Sequence, residues 1–406
     1  MNAPAPALTV EDALALVLAG VTPVTATQLC PLLEAVGRIL ATPLAAKLTQ
    51  PPFDASAMDG YAVQADDVAK LPVTLRVIGE SAAGHGFRGT THRGEAVRIF
   101  TGAPIPEGAD CIIIQENTTR DGDRVVVREG EIDPEFVRPR GGDFKAGDVL
   151  LPAGRRLTAR DITLAAAMGH PVLAIRRPPR VAILATGDEL VLPGTTPQTD
   201  QIVCSNTFGI AAMVKAAGGE PVLLGIAADT PESLARKVDE AAGCDILVTA
   251  GGASVGDHDL VAPVLTARGM ALDFWKIAMR PGKPLMFGRL GEQRVLGLPG
   301  NPVSSLVCAR LFLLPLVHAM LGLPAESSRA LTARSTRPLA ANGPRAHYMR
   351  ATTRMADDGQ IEVTPVRSQD SSLLSPLAEA DCLIVRTIRD PAIPAGAAVP
   401  ILMLDF

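Results

Sequence analysis

The second half of the chain repeats one pattern: an apolar, strand-like run, then a polar loop, then a helix-like pattern. The strand-like runs lie at 181–185, 221–226, 245–248 and 294–298, and helical patterns follow at 206–217, 231–242, 258–267 and 302–321. Strands that alternate with helices in this way form a mostly parallel sheet with helices on both faces. The pattern therefore predicts an α/β domain in this half of the chain.

Carboxylates follow three of the predicted strands. Glu189 lies in the segment TGDEL at 186–190, Asp229 follows the second strand, and Asp259 ends the loop after the third. Ligands bind at the carboxyl ends of the strands in an open α/β sheet, so we expect these side chains to share one edge. Because hard cations prefer carboxylate oxygens, the three residues are predicted to form a magnesium site.

Two glycine-punctuated loops follow the third and fourth strands. The first, TAGGASVGDHD at 249–259, contains Gly251, Gly252 and Ser254. Backbone N–H groups freed by glycine, and the N-termini of helices, suit bound anions. The second loop, LPGNPVSS, opens the last helix, and its predicted substrate-binding residues are Pro299, Asn301, Pro302 and Ser304. Both loops are therefore predicted to bind an anionic substrate.

The segment KIAMRPGK at 276–283 supplies positive charge between these loops. Its cations are Lys276, Arg280 and Lys283, and the rigid turn RPGKP would hold them in place. A solvated basic edge is the alternative interpretation of the same residues. Cations, carboxylates and bare backbone together indicate a phosphorylated substrate that is held with a divalent metal.

The stretch GASVG at 252–256 also matches the GxSxG nucleophile elbow of serine hydrolases. That elbow needs an acid and then a histidine further along the chain. The later histidines are His318, in the middle of a predicted helix, and His347, in the tail. An anion-binding loop is therefore favoured over a nucleophile. Sequence motifs of P-loop, dinucleotide-binding and HExxH zinc proteins are absent.

Composition narrows the class of protein. A chain of 406 residues exceeds one ordinary core, so several domains are expected. A net charge of −5 and 3% aromatic residues argue against a nucleic-acid partner. Six scattered cysteines without a CxxC pair fit the reducing cytoplasm. We expect no signal peptide, and no apolar run of the roughly 20 residues that span a membrane.

The rest of the chain shows a different pattern of predicted secondary structure. Helical patterns lie at 9–19, with Thr9 as the N-cap, and at 26–40. Short β-rich runs at 73–78, 96–100, 110–115 and 124–128 predict a small all-β module, and a helical pattern returns at 158–168. Beyond Pro324, β-rich runs at 349–355, 361–365, 382–387 and 399–404 predict a small barrel or sandwich.

The motifs, taken in order, resemble those of the molybdopterin molybdenumtransferases, the molybdenum insertases that include the E domain of gephyrin. The matching segments are PPFDASAMDGYA at 51–62, FTGAPIPEGAD at 100–110, RGGDF at 140–144, TGDEL at 186–190, SN at 205–206, GGASVGDHD at 251–259, FWKIAMRPGKP at 274–284 and LPGNPVSS at 298–305. The resemblance covers nearly the whole chain, and the ordered set is specific although each motif alone is weak.

The resemblance implies an α/β multidomain chain. Its central domain is the mostly parallel molybdopterin-binding type, accompanied by a β-rich insert, a small linking domain and a C-terminal β-barrel. The expected bounds are an N-terminal helix that packs with the sheet domain at 1–26, a linking domain at 27–48 and 147–178, the insert at 49–146, the sheet domain at 179–326 and the barrel at 327–406.

The implied reaction inserts molybdate into adenylylated molybdopterin, releases AMP and forms molybdenum cofactor with the help of Mg²⁺. The implied assembly is a homodimer whose active site is shared, with Asp59, Thr101 and Asp143 contributed across the dimer. Asp59, Glu189, Asp229, Asp259, Lys276 and Arg280 are expected in catalysis. Arg350 and Ser371 fall where the family places further substrate contacts. Other cofactor-biosynthesis proteins and molybdoenzymes are further expected partners.

Two other functions fit parts of this pattern. A molybdopterin adenylyltransferase shares the sheet-domain fold, but the flanking domains and the GGASVGDHD loop, in place of a GGTG-type loop, argue against it. A non-enzymatic scaffold would need a second domain or a long linker. Four residues depart from the family pattern: Cys204, Arg280, Asp370 and Asp381.

Overall fold

The computed structural model describes residues 8–130, 132–252, 260–325 and 331–406. The chain divides into two compact units. One unit is Thr27–Ile175, and the other combines Met1–Ala26 with Arg176–Phe406.

The unit Thr27–Ile175 is built around a six-stranded mixed sheet. The order of its strands is Cys111–Ile114, Gly60–Val63, Glu95–Ile99, Val73–Ser81, Arg124–Val127 and Thr118–Asp121. Its core contains Tyr61, Leu75, Ile113 and Val125, which are at most 4% exposed. These strands confirm the predicted β-rich module and all four of its predicted β runs.

Shorter elements complete this unit. They are strands Thr27–Pro31, Leu44–Ala45, Ala55–Ser56, Val137–Arg138, Val149–Leu151 and Val172–Arg176, three-ten helices Leu32–Glu34, Ala65–Val68, Gln115–Asn117 and Pro134–Phe136, and helix Ala159–Ala167. The predicted helix at 158–168 is confirmed. The predicted helix at 26–40 is wrong, because the segment Thr27–Pro31 pairs instead as a strand with Val172–Arg176, far along the chain.

The second unit contains the predicted α/β sheet. The order of its strands is Glu220–Ala227, Arg180–Thr186, Ile246–Ala250, Gln293–Leu298, Met286–Leu290 and Ala271–Trp275. The first four strands are mutually parallel, and each of the last two is antiparallel to its neighbour. The prediction of a mostly parallel sheet is therefore confirmed.

A helix follows each of the four parallel strands. These helices are Asn206–Ala217, Pro231–Glu240, Val261–Ala267 and a continuous helix over Pro302–Leu321. Leu234, Val238 and Leu265 pack on the strand residues Leu184 and Leu247 in one buried cluster. Alternate strand residues point to the other face of a sheet, so this cluster covers one side. The N-terminal helix Val10–Leu18 begins at Thr9, whose hydroxyl accepts from the Asp12 amide, as predicted.

The helix Pro302–Leu321 departs from the expectation that no apolar run reaches the length of a membrane span. It has 20 residues and a mean hydropathy of 1.8 in its most apolar stretch. That stretch is 83% buried within the protein, so packing accounts for its apolar side chains. It widens to a π-helical turn at Ala309–Leu313, where the buried Arg310 pairs with Asp405.

The C-terminal part of this unit closes into a five-stranded barrel, as predicted. The barrel strands are Ala346–Met355, Ile361–Pro365, Leu331–Ser335, Ala398–Met403 and Cys382–Arg386, and the last pairs with the first. The short strand Met279–Arg280 pairs with the start of the barrel strand Ala346–Met355. Ala351, Val363, Ile384 and Ile401, all 0% exposed, lie in its core. The remaining elements are strands Leu190–Val191 and Ile202–Val203 and helix Ser375–Ala378.

Asp245 joins three strands at their amino ends, on the side of the sheet opposite to the loops that follow the strands. Its carboxylate accepts a bidentate pair from Arg177 at 2.8 Å and a bond from the Arg180 amide at 2.6 Å. Its backbone oxygen accepts from the Arg294 amide. Burial raises the pKa of Asp245, but the bonds from Arg177 and Arg180 outweigh burial, so its pKa lies below the usual value.

We predict that Asp245→Asn lowers the free energy of unfolding at pH 7 by about 1–3 kcal/mol, because it removes the charged partner of Arg177. A carboxyl group with a lowered pKa in the folded state stabilises the fold above its unfolded pKa of about 3.9, and this stabilisation is lost as the pH falls through the folded pKa. Urea denaturation should therefore show that the free energy of unfolding of the wild type exceeds that of the variant by a constant amount down to about pH 5. In stronger acid this excess should disappear.

The matched control is Asp239→Asn, which removes the exposed pair with Arg268. It should leave the urea midpoint unchanged. A difference between wild type and Asp245→Asn that persists at the lowest pH would contradict the assigned role of the carboxylate.

Candidate functional site

A cavity of about 770 Å³ lies at the carboxyl ends of the parallel strands. It is lined by Ala185, Thr186, Gly187, Glu189, Leu190, Ile202, Val203, Cys204, Ser205, Asn206, Asp229, Ala250, Gly251, Gly252, Pro284, Pro299, Gly300, Asn301, Pro302, Ser304 and Ser372. Eight residues predicted from the sequence are among them: Glu189, Asp229, Gly251, Gly252, Pro299, Asn301, Pro302 and Ser304. The strand-end loops therefore meet where the α/β pattern predicts a ligand site.

Two predicted carboxylates line this cavity, and a third residue ties their loops together. The Asp188 amide donates to the Asp229 carboxylate at 3.4 Å, and the Asp229 amide donates to the Asp188 carboxylate at 3.1 Å. The Glu189 carboxylate folds back over Gly187, where a Cβ would lie 2.3 Å from Glu189 Oε2. Glu189 and Asp229 are exposed, so their charges are available to a ligand.

The third predicted carboxylate, Asp259, lies outside the described residues, as does Ser254. Within the parts of the chain that the structure describes, no three His, Cys, Asp or Glu side chains form a group suited to a metal ion. The carboxylates among the described lining residues are those of Glu189 and Asp229. The three-carboxylate magnesium site stays a prediction.

The glycine loop approaches the neighbouring strand closely. Gly251 and Gly252 have φ values of +104° and +62°. A Cβ on Gly251 would lie 2.8 Å from the carbonyl oxygen of Thr186. A Cβ on Gly252 would lie 2.9 Å from the Thr186 hydroxyl. Among the described residues, the buried Thr186 hydroxyl has no hydrogen-bond partner. Glycine is therefore required here for both backbone conformation and space.

The start of the helix Pro302–Leu321 forms another wall of the cavity. Pro302 occupies the first turn, where its missing N–H costs nothing. The side-chain amide of Asn206 donates to the Gly300 carbonyl at 2.7 Å, which ties this loop to the start of the first helix of the sheet domain. Asn301 donates to the Ser371 hydroxyl at 3.0 Å. A helix N-terminus of this kind suits an anionic group.

The predicted cations are not among the residues that line the cavity. Lys276, Arg280 and Lys283 are all exposed, while Pro284 of the same segment lines the cavity. The Arg280 guanidinium donates to Asn342 at 3.3 Å, and Arg280 lies in the strand at the edge of the barrel. The charged side chains of the RPGKP turn therefore lie outside the cavity lining, whereas its Pro284 belongs to it.

Gly282 shows how tightly this turn is packed. It has a φ of +110°, and a Cβ there would lie 2.4 Å from the Cys308 sulfur. Cys308 lies in the long helix that begins at the cavity. The turn and the helix are therefore in direct contact.

The tail residues have structural partners. Arg350 is 1% exposed, and its guanidinium donates to the carbonyls of Ser368, Asp370 and Leu373. Arg350 is therefore buried and is not among the residues that line the cavity, and the substrate contact that the resemblance implies stays a prediction. Ser372, next to the predicted Ser371, lines the cavity.

The residues that depart from the family pattern also have local partners. The Asp370 carboxylate accepts from the amide and hydroxyl of Ser372. The Asp381 carboxylate accepts from the amide and hydroxyl of Thr353. Cys204 is 4% exposed, and its sulfur lies 3.4 Å from the Thr207 hydroxyl at the cavity wall.

A second predicted cluster lies in the unit Thr27–Ile175. The Asp59 carboxylate accepts from the amide and hydroxyl of Thr101 at 2.8 and 2.9 Å. These bonds, the amide first, hold the pKa of Asp59 below its usual value. Arg98 stacks 4.5 Å above the Phe100 ring beside them. Asp143 is exposed in the RGGDF loop, and its amide donates to the Gln50 carbonyl.

Asp188 and Ser372 are two residues at the site that the sequence does not predict. Asp188 immediately precedes the predicted Glu189 in TGDEL, and its reciprocal bonds with Asp229 depend on how close two loops come. Ser372 differs by one position from the predicted Ser371, and which of the two faces the cavity depends on the turn that Asp370 makes.

Comparisons with known proteins match this chain along almost its whole length. The model of the "MoeA N-terminal region (domain I and II)" matches residues 8–169, that of a "probable molybdopterin binding domain" matches 182–319, and that of the "MoeA C-terminal region (domain IV)" matches 332–404.

Two curated relatives carry the name molybdopterin molybdenumtransferase. A molybdopterin molybdenumtransferase of Nostoc is 39% identical over 390 residues, covering 94% of this chain and 89% of the relative. One of Haemophilus influenzae is 36% identical over 380 residues, covering 93% and 94%. The crystal structure of a molybdopterin biosynthesis moea protein from Pyrococcus horikosii is 28% identical, covers 98% of this chain and 100% of its own, and superimposes with a TM-score of 0.84.

We predict that Gly251→Ala destabilises the protein more than Gly243→Ala does. Both glycines have positive φ, at +104° and +79°, but a Cβ on Gly243 would meet nothing within 4 Å. Each substitution should cost about 1–2 kcal/mol from backbone conformation alone. Gly251→Ala should cost about 1–3 kcal/mol more, because its Cβ would collide with the Thr186 backbone. Equal losses in urea denaturation would show that the loop is free to move away.

Proposed function

The chain belongs to the molybdopterin molybdenumtransferase family and is a transferase, and from this premise we propose that it inserts molybdate into adenylylated molybdopterin. AMP is released, and molybdenum cofactor is the product. This step ends molybdenum cofactor biosynthesis. The observation that carries the proposal is one cavity that combines the carboxylates of Glu189 and Asp229, the Gly251–Gly252 backbone and the helix start at Pro302.

The residues present fit a magnesium ion. The described lining residues include the carboxylates of Glu189 and Asp229, which are hard oxygen ligands, and Mg²⁺ is commonly held by one or two carboxylates together with substrate phosphates. When bound there, Mg²⁺ would neutralise charge on the phosphoanhydride of the substrate. Asp188 would keep the Asp229 loop at a fixed distance from Glu189, because the two loops exchange hydrogen bonds.

The other walls of the cavity would place the substrate's anionic groups. The dipole of the helix that begins at Pro302 would favour a phosphate at its cavity end, although its Val303 and Ser305 amides are already bonded to Ser371 and Asn301. Gly251 and Gly252 line the cavity and carry no side chain, so the substrate could approach their backbone. Donors held in place before the reaction stabilise developing charge without reorganisation. The reaction needs no protein nucleophile.

We also propose that two copies form a homodimer, and that Asp59 and Thr101 of one copy complete the cavity of the other. The Asp59–Thr101 pair is exposed and already rigid, as a residue supplied to a neighbouring site would be. We place the protein in the cytoplasm, because all six of its cysteines are free thiols.

Glu189→Gln tests the role of the carboxylate. We expect it to lower magnesium-dependent AMP release from adenylylated molybdopterin and molybdate by about 100-fold or more, because it removes one negative charge from the metal site. The fold should be retained, since the change preserves shape. Glu232→Gln, in an exposed first helical turn near Asp229, is the control and should be fully active. Full activity in Glu189→Gln would remove this carboxylate from the reaction.

Mixed dimers test the shared site. The inactive variants Asp59→Asn and Glu189→Gln should complement each other when refolded together. Each heterodimer would carry one doubly altered site and one unaltered site. Random mixing makes about half of the dimers heterodimers, so about a quarter of wild-type AMP release should return. Native mass spectrometry that shows heterodimers without recovered activity would place both residues in the site of one copy.

A further inference from the structure

The loop 368–373 of the C-terminal barrel reaches the cavity, and this inference builds on the function proposed above. Ser372 lines the cavity. Its neighbour Ser371 binds the helix start twice: its carbonyl accepts from the Val303 amide at 3.1 Å, and its hydroxyl accepts from Asn301 at 3.0 Å. The loop therefore joins the barrel to the cavity wall.

Arg350 holds this loop from beneath. Its guanidinium donates to the carbonyl oxygens of Leu373, Ser368 and Asp370 at 2.9, 3.0 and 2.8 Å. With 1% of its surface exposed, it is out of reach of a ligand while the loop is in place. A guanidinium presents several donors in a rigid fork, and a lysine cannot reproduce three such bonds.

Gln369 fixes the same loop through the backbone. Its side-chain oxygen accepts from the Arg350 amide at 2.9 Å, and its side-chain nitrogen donates to the Arg350 carbonyl at 2.9 Å. Gln369 therefore pairs with Arg350 as a neighbouring strand would. Two kinds of hydrogen bond therefore hold the loop: neutral bonds between the Gln369 side chain and the Arg350 backbone, and bonds from the charged Arg350 guanidinium to the loop carbonyls.

Asp370 determines what Ser372 offers to a ligand. Its carboxylate accepts from the Ser372 amide at 2.9 Å and from the Ser372 hydroxyl at 2.8 Å. These bonds, the amide first, lower the pKa of Asp370, so the carboxylate stays ionised and cannot donate. The single hydroxyl proton of Ser372 is thus committed to Asp370. What the hydroxyl presents to the cavity is a lone pair.

We propose that Arg350 is a positioning residue that acts through loop 368–373, and that Ser372 accepts a hydrogen bond from a donor group of the substrate. The donor is a group of the adenylyl moiety, either the amino group of the base or the 2′-hydroxyl of the ribose. The barrel therefore contributes specificity for the nucleotide part of the substrate.

Calorimetric titration with AMP tests the contact. Ser372→Ala should weaken AMP binding about tenfold, the effect of one lost hydrogen bond. Inosine monophosphate lacks the amino group and 2′-deoxy-AMP lacks one hydroxyl. Wild type and Ser372→Ala should bind one of these two analogues equally, and that analogue identifies the donor. Equal AMP affinity in wild type and Ser372→Ala, or a tenfold difference that persists with both analogues, would overturn the contact.

Hydrogen exchange tests the clamp, and it needs neither ligand nor activity. Arg350→Lys keeps the charge, and Gln369→Ala keeps Arg350 itself, yet both should speed exchange about tenfold in peptides covering 301–308 and 366–374. Both should also weaken AMP binding. Ser372→Ala should leave exchange at 301–308 unchanged. Arg354→Lys, an exposed arginine in the same barrel strand, is the control and should match wild type in both assays.

The opposite pattern would show that Arg350 contacts substrate by its charge. In that case Arg350→Lys would bind AMP and exchange like wild type, while Arg350→Ala would lose binding without faster exchange. If wild type itself binds no AMP, the proposed function and the Ser372 contact both fail. The exchange experiment still decides the clamp, so the two failures are distinguishable.

Discussion

The site depends on the register of four parallel strands. Thr186 lies opposite Ala227, Ala185 opposite Ala250, and Ala250 opposite Leu298, so the strands end almost level. A shift of one residue in any of them would move its buried side chains to the other face of the sheet. The buried core therefore holds the register, and the register brings the loops after these strands to one edge. The cavity is a consequence of that packing.

Polar contacts then tie the loops to one another. The loops of Asp188 and Asp229 exchange hydrogen bonds, and Asn206 joins the first helix to the loop at Gly300. The barrel adds a further contact through Ser371 and Asn301. Each loop is therefore held by a neighbour as well as by its strand. Groups that are fixed before a substrate binds stabilise developing charge most effectively, which is what transfer between anionic substrates requires.

The sequence predicts the parts of this molecule that local periodicity controls. The sheet strands, their helices and the carboxylates at strand ends were predictable, because alternation of strand and helix imposes a common edge. The segment Thr27–Pro31 was not, because its partner, Val172–Arg176, lies far along the chain. Contacts between loops were also unpredictable: the Asp188–Asp229 exchange, the burial of Arg350 beneath loop 368–373 and the position of Ser372 all depend on tertiary packing. The magnesium site and the shared dimer remain predictions.

Crystals grown with AMP and manganese in place of magnesium test the central claim most directly. Anomalous scattering would locate the metal without reference to activity. The account predicts a manganese peak within ligand distance of the carboxylates of Glu189 and Asp229, with the AMP phosphate beside the helix start at Pro302. Manganese and AMP bound at another place in the protein, with these carboxylates free of metal, would contradict it.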